Sequence, residues 1–222
     1  MQGVPDVVER IDPDERRGLL VDAAVEELLA HGWSGSSLVR IADRVGLSRA
    51  GVLHHFPTKA ELLGAVLDVR DDRDITETGL DLATLAEDPR GDSVHRLFDG
   101  LRTLMWLNAG REETVRLFTL VVGESVAEGH PNAEWVRARY DRLRQGIAAV
   151  LSGAIEAEEI PVEVEPLRLA TRLIALMDGL QLQWLHAPEE IDLAAEFDAA
   201  LTAIAAELEL PGGGPGDQWM PS

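Results

Sequence analysis

Arg49, His54, His55 and Lys59 place four donor-bearing side chains within eleven residues, preceded by the hydroxyls of Ser37 and Ser48, and Lys59 is the only lysine in the chain. Guanidinium, imidazole, ammonium and hydroxyl groups at this density suit hydrogen bonding to the phosphates and base edges of a duplex. Catalysis has weaker claims. Adjacent His54 and His55 point about 100° apart on a helix and chelate a metal poorly, and no two histidines stand four residues apart. Ser125 lies near Glu124 and His130, but no G-x-S-x-G elbow or phosphate-cradling loop accompanies them. The sequence therefore predicts no catalytic residue, no metal site and no cofactor.

The elements that must position these groups are legible around them. Leu38, Ile41, Ala42 and Val45 recur at three and four residues and line one face of a short helix, leaving Arg40, Asp43 and Arg44 outward. Ser37 is placed to cap its start, Gly46 to supply permissive backbone at its end, Leu47 to plug the corner and Ser48 to cap the next helix. That helix runs from Arg49 to His55, with Val52 and Phe56 turned inward and Arg49, Ala50, Leu53 and His54 outward. Pro57 stops it. Two helices joined by so short a turn cross steeply, and the second, small at Ala50 and Gly51, fits its first half against base edges in a major groove.

The order Gly32, Ser36-Ser37, Ile41-Ala42, Val45-Gly46, Ser48, His55-Phe56-Pro57-Thr58-Lys59 and Glu61-Leu62-Leu63 resembles the N-terminal domain of TetR-type (tetracycline-repressor-like) transcriptional regulators over residues 13 to 70. The resemblance implies phosphate contacts at Ser37, His55 and Lys59, and base-facing positions at Arg49, Ala50, Gly51 and His54. The sequence departs from that pattern at Leu53, where the family usually has a DNA-touching tyrosine. Leucine has no donor for phosphate, although it packs on a thymine methyl.

Charge is distributed unevenly. The chain carries 20 basic and 40 acidic side chains, net −20, where a nucleic-acid binder is ordinarily basic. Residues 31 to 70 hold five basic and three acidic groups, whereas residues 71 to 222 hold twelve and twenty-nine. Acidity elsewhere disfavours unspecific adhesion to phosphate or to a membrane surface. The start is polar and no apolar run approaches the ~20 residues a bilayer requires, so the expected location is the cytoplasm and no membrane partner is expected. With no cysteine, disulfides and thiolate chemistry are excluded.

A first helix starts at Asp12-Pro13-Asp14-Glu15, ends near His31-Gly32 and offers Leu20, Ala24 and Leu28 to the reading pair; a fourth begins at Thr58 with Leu62, Val66 and Val69 on its apolar side. The charged run DVRDDRDITE continues it as a connector helix. Beyond the break at Glu87–Asp92, helical periodicity resumes over 92–108, 112–127, 132–157, 164–186 and 190–209, and no stretch alternates as a strand does. The expected fold is all-α: a three-helix helix-turn-helix domain over 1–70, a larger helical domain over 71–210, and a disordered tail over 211–222.

In the larger domain, Leu193, Phe197, Leu201, Ile204 and Leu208 step by four, four, three and four, the spacing of a continuous seam. The preceding helix is apolar nearly all round and needs covering on both sides, with Ala175 and Gly179 permitting close approach. A homodimer through Leu176, Gly179 and that seam answers this need, and the resemblance implies it. The segment ALMDGLQLQWL, residues 175–185, resembles C-terminal domains in one branch of these regulators. The resemblance further implies a pocket for a small-molecule effector, for which Arg102, Trp106, Phe118, Trp135, Met177, Gln181 and Trp184 are the candidate contacts, with Tyr140 and Asp178 nearby in the pattern. Together these readings predict a repressor that binds a palindromic operator in double-stranded DNA and is released by the effector. An all-helical carrier or interaction module with a vestigial helix-turn-helix is the alternative, kept open by Leu53.

Overall fold

A computed structural model describes residues 12–87, 92–161 and 163–210, and among them forms ten α-helices and no strand. Residues 1–11, the expected disordered tail over 211–222 and the middle of the Pro-Gly break, 88–91, lie outside the described residues.

The chain divides into two compact units between Leu67 and Asp68. The first contains α1 (Pro13–Gly35), α2 (Leu38–Arg44), α3 (Arg49–His55) and the first part of α4 (Lys59–Thr78). Its core is Leu20, Ala24, Leu28, Ile41, Ala42, Val52, Phe56, Leu62, Leu63 and Val66, all buried. The Asp12 carbonyl accepts the Arg16 amide at 2.9 Å as the first turn of α1 closes. Gly32, at φ 64°, breaks the helix where the His31-Gly32 signal put its end, and a last turn to Gly35 follows.

Val69 corrects the reading of α4: it is 54% exposed. The apolar stripe of this helix continues instead through Arg70 and Asp74, whose side chains are only 11% and 13% exposed. The charged run does continue α4 as a helix, with one solvated face and one buried face.

The second unit contains the rest of α4, then α5 (Leu82–Ala86), α6 (Ser93–Ala109), α7 (Glu112–Glu124), α8 (Ala133–Glu156), α9 (Pro166–His186) and α10 (Leu193–Glu207). Phe98, Met105, Val115, Leu151, Leu173 and Phe197 bring five of these helices into one apolar core. The sequence reading missed α5, which is too short for a periodic signal. It packs on α6 and α8 because both offer glycine: a Cβ at Gly100 would meet Leu80 at 3.0 Å, and one at Gly146 would meet Leu82 at 2.9 Å.

The seam on α10 also needs correction. Leu193, Phe197, Leu201, Ile204 and Leu208 are all buried within their own chain, packed with the cluster that joins α6, α8 and α9. A three-and-four spacing marks a helix face that must be covered and does not say whether the cover is the same chain or a second copy. Leu176 is half-buried against the same core. Gly179 differs, for a Cβ there would meet nothing within 4 Å.

Candidate functional site

In the first unit, both caps expected from the sequence form. The Ser37 hydroxyl accepts the Val39 amide at 3.2 Å, and the Ser48 hydroxyl accepts the Gly51 amide at 3.1 Å. Between them Gly46 takes φ 67°, a conformation that glycine adopts without Cβ strain, and the Leu47 amide reaches back to the Ala42 carbonyl at 2.9 Å.

Beneath this corner lies Glu27, 0% exposed. One of its carboxylate oxygens accepts the Ser37 amide at 3.0 Å and Arg40 Nε at 2.6 Å. Burial by itself would push the carboxyl up; the hydrogen bonds from Arg40 and the Ser37 amide, with the nearby charges of Arg40 and His31, hold it below its ordinary value of 4.5. Arg44 pairs with Glu26 at 2.6 Å, so two arginines that the helical pattern turns outward fasten α2 to α1. Arg17 lies 4.2 Å from the centre of the Phe56 ring and donates to the His55 carbonyl at 3.3 Å, holding the end of α3.

With those cations engaged, α3 leaves Arg49, Ala50 and His54 exposed and Gly51, Leu53 and His55 half-buried, with Val52 beneath. Among the described residues, Arg49 has no ion pair and no side-chain hydrogen bond. Lys59 occupies a different place. Its ammonium donates to the carbonyls of Trp33 and of Ser36, the latter at 2.8 Å, and sits 4.3 Å from the centre of the Trp33 ring. It clamps the α1–α2 corner to the first turn of α4, a role that no spacing in the sequence announced.

The second unit encloses a cavity of about 940 Å³, the size of sites that bury a drug-sized molecule. Aliphatic side chains form most of the wall, among them Leu80, Leu101, Leu143, Ile147 and Ile174. Polar groups concentrate along α4 and its neighbours. Arg139 grips Asp71 through two bonds of 2.8 Å, Arg70 Nε lies 3.6 Å from Asp74, and Arg111 pairs with both Asp74 and Glu77. Arg70 and Arg139 both stack over Phe118, at 4.4 and 4.6 Å from the ring centre.

Desolvation shapes these charges: burial pulls the Arg70 guanidinium down and pushes the carboxyls of Asp74 and Asp178 up. The Tyr140 hydroxyl donates to Asp178 at 2.6 Å. Burial and that bond hold the phenol above its ordinary range.

Of the seven candidate pocket residues, Phe118, Met177 and Gln181 line the cavity and Arg102, Trp106, Trp135 and Trp184 fall outside the lining. Arg102 pairs with Asp198 at 2.6 Å and Asp99 at 3.1 Å, joining α6 to α10. Trp184 is buried in the core, Trp106 is 38% exposed and Trp135 is half-buried. Bulky residues at helical spacing fill a core as readily as they line a cavity, and the pattern does not separate the two. The reading missed Arg70, Asp74, Asn108 and Arg139. A signal was present: Asn108 continues the Leu97, Leu101, Met105 stripe of α6, and Arg70 continues Leu63 and Val66 on α4.

Among the described residues no group of three or more His, Asp or Glu is placed to hold a metal ion, and no helix is long and apolar enough to cross a membrane.

Comparison with known proteins agrees with both halves of this geometry. Residues 20–66 match the bacterial regulatory proteins of the tetR family, and residues 93–209 match the C-terminal domain of BetI-type transcriptional repressors. The chain is 27% identical over 197 residues to the transcriptional regulator TtgR of Pseudomonas putida, covering 84% of this chain and 88% of that one, and 27% identical over 205 residues to AcrR of Shigella flexneri, covering 90% of each. Among solved structures, the SmeT–triclosan complex superposes with a TM-score of 0.77 at 21% identity, over 93% of this chain and 98% of that one. SmeT is the repressor of the Stenotrophomonas maltophilia multidrug efflux pump SmeDEF, and at this identity the likeness is one of fold. The chain belongs to the TetR family of transcriptional regulators, DNA-binding helix-turn-helix proteins and not enzymes.

Proposed function

We propose that this protein is a cytoplasmic repressor that binds a two-fold-symmetric operator as a homodimer and releases it when a small molecule enters the α4–α9 cavity. The observation that carries the reading is the state of Arg49: Arg17, Arg40 and Arg44 are spent inside the first unit, while Arg49 stands exposed and unpaired on α3 beside Ala50 and His54. A guanidinium so placed is the usual bidentate reader of guanine. Gly51 and Leu53 contribute apolar surface for a thymine methyl, and Ser37, Ser48 and His55 border the phosphates. Lys59 acts from beneath, by holding the corner that presents them.

Dimerisation is supported by what α9 and α10 leave uncovered. Leu167 and Leu182 are nearly half exposed, Ala175 is exposed and Gly179 is open, while α10 turns Ala195, Ala199 and Ala206 outward. Small residues on two adjacent helices let a symmetry mate approach closely, and a two-fold dimer sets its readers about 34 to 36 Å apart. Coupling needs no separate device. The unbroken α4 carries Lys59 in its first turn and Arg70, Asp71 and Asp74 along the cavity wall. A ligand that favours another setting of this helix by ~1 to 3 kcal/mol changes operator affinity about 5- to 150-fold.

The test is selection of bound fragments from the parent genome, followed by titration of a selected duplex with wild type and with Arg49→Ala. The variant is expected to keep its fold and to lose about 1 to 3 kcal/mol of discrimination at one base pair of each half-site. Unchanged preference in Arg49→Ala, or recovery of no fragment, contradicts the reading; the second result also favours the carrier alternative.

A further inference from the structure

The cavity holds a set of polar atoms whose hydrogen-bonding capacity is unused. Asn108 is 1% exposed and Gln181 4% exposed, and both line the cavity. Neither the nitrogen nor the oxygen of the Asn108 amide has a partner, and the Gln181 oxygen has none, while its nitrogen donates to the Met177 carbonyl at 3.1 Å. Arg70, another lining residue, is engaged by Asp74, 3.6 Å from its Nε, and by the Phe118 ring. Buried polar atoms in folded proteins are paired as a rule, so unpaired ones on residues of a cavity wall define what would complement them.

The unsatisfied set contains both signs: a donor on Asn108, and acceptors on Asn108 and Gln181. A carboxylate only accepts and an ammonium only donates, so either ion answers half of the set. A carboxylate would also meet a wall with more aspartate than arginine, Asp68, Asp71, Asp72, Asp74, Asp81 and Asp178 against Arg70, Arg139 and Arg142. An ammonium would leave the Asn108 nitrogen without an acceptor, and four of the six aspartates are engaged: Asp71 by Arg139, Asp74 by Arg70 and Arg111, Asp81 by the Ala83 amide and the Thr84 hydroxyl, Asp178 by the Tyr140 hydroxyl.

We propose that the molecule this cavity takes is uncharged, with an apolar body seated among Leu101, Leu143, Ile147 and Ile174 and one head group, an amide or a hydroxyl, that accepts from the Asn108 nitrogen and donates to the Asn108 or Gln181 oxygen. The Phe118 ring is flanked by two guanidiniums, so aliphatic side chains provide the contact surface for the body. This deepens the proposed function and rests on it for the word effector, though not for the chemistry of the cavity.

Three probes sharing one body separate the possibilities: 4-hexylbenzamide, 4-hexylbenzoate and 4-hexylbenzylammonium, titrated calorimetrically into the full chain at pH 7. The amide is expected to bind at least tenfold more tightly than either ion. Asn108→Leu, which keeps the volume and removes the amide, is expected to abolish that preference, with circular dichroism reporting the fold; Gln181→Met gives a second reading should the first variant unfold. Equal or tighter binding of either ion, absence of amide binding, or an undiminished preference in a folded variant overturns the proposal. The same samples are then challenged with a genome-selected duplex. Amide binding that leaves the duplex bound retains the cavity chemistry and removes the effector reading; release of the duplex by an ion and not by the amide retains the effector reading and removes the proposal.

Discussion

Glu27 has no exposed surface, yet it governs the corner from which DNA would be read. Its carboxylate receives the first amide of the α2 corner and the Arg40 guanidinium together. Removing the charge with Glu27→Gln loses charge-assisted bonds at a buried position, and the expected cost is about 2 kcal/mol at pH 7, read as faster hydrogen exchange at the Ile41 amide. Because the folded carboxyl lies below 4.5, its contribution is present above that pH and is lost as the pH falls through the folded value. The difference between wild type and variant should therefore narrow in acid; a difference that stays constant from pH 7 to pH 3 would contradict the role. At this scale the sequence was legible where period alone decides, as for exposed Arg49, Ala50 and His54 over buried Val52. It was illegible where a polar side chain serves the interior. Lys59 and Glu27 reach partners 10 to 26 residues away, and no local pattern encodes that pairing.

Among the elements, α5 shows how a short helix is held by its neighbours' lack of side chains. Leu80 and Leu82 rest where Gly100 and Gly146 leave room, and both leucines line the cavity. Gly146→Ala forces a methyl against Leu82 and is expected to cost about 1 to 3 kcal/mol, lowering Tm by about 2 °C or more. Gly123→Ala is the opposite case. It lies within α7 with nothing inside 4 Å of a Cβ, so the gain in helix propensity, about 0.5 to 1 kcal/mol, should raise Tm. If both changes shift Tm in the same direction, the packing account of α5 fails. The longer helices were readable from their three-and-four spacing, with ends displaced by up to three residues. Two faces were not. The α10 seam proved to be intramolecular, and the charged half of α4 proved half-buried, because an Arg–Asp pair four apart reads as solvated until its burial is known.

For the whole molecule, the balance of −20 sets the terms of DNA binding. Long-range attraction to phosphate is weak, so on the proposed reading affinity comes from two geometrically matched contacts, set in a segment, residues 31–70, where five basic groups face three acidic ones. A single reader on so acidic a chain would bind poorly, so the proposed dimer matters to DNA recognition more than the helix-turn-helix alone requires. Hydroxyl-radical footprinting on a genome-selected fragment tests this most directly. Two protected tracts about ten base pairs apart on one face of the duplex, related by the two-fold axis of the sequence, are the predicted result. One isolated tract, or uniform cleavage at every protein concentration, would contradict it.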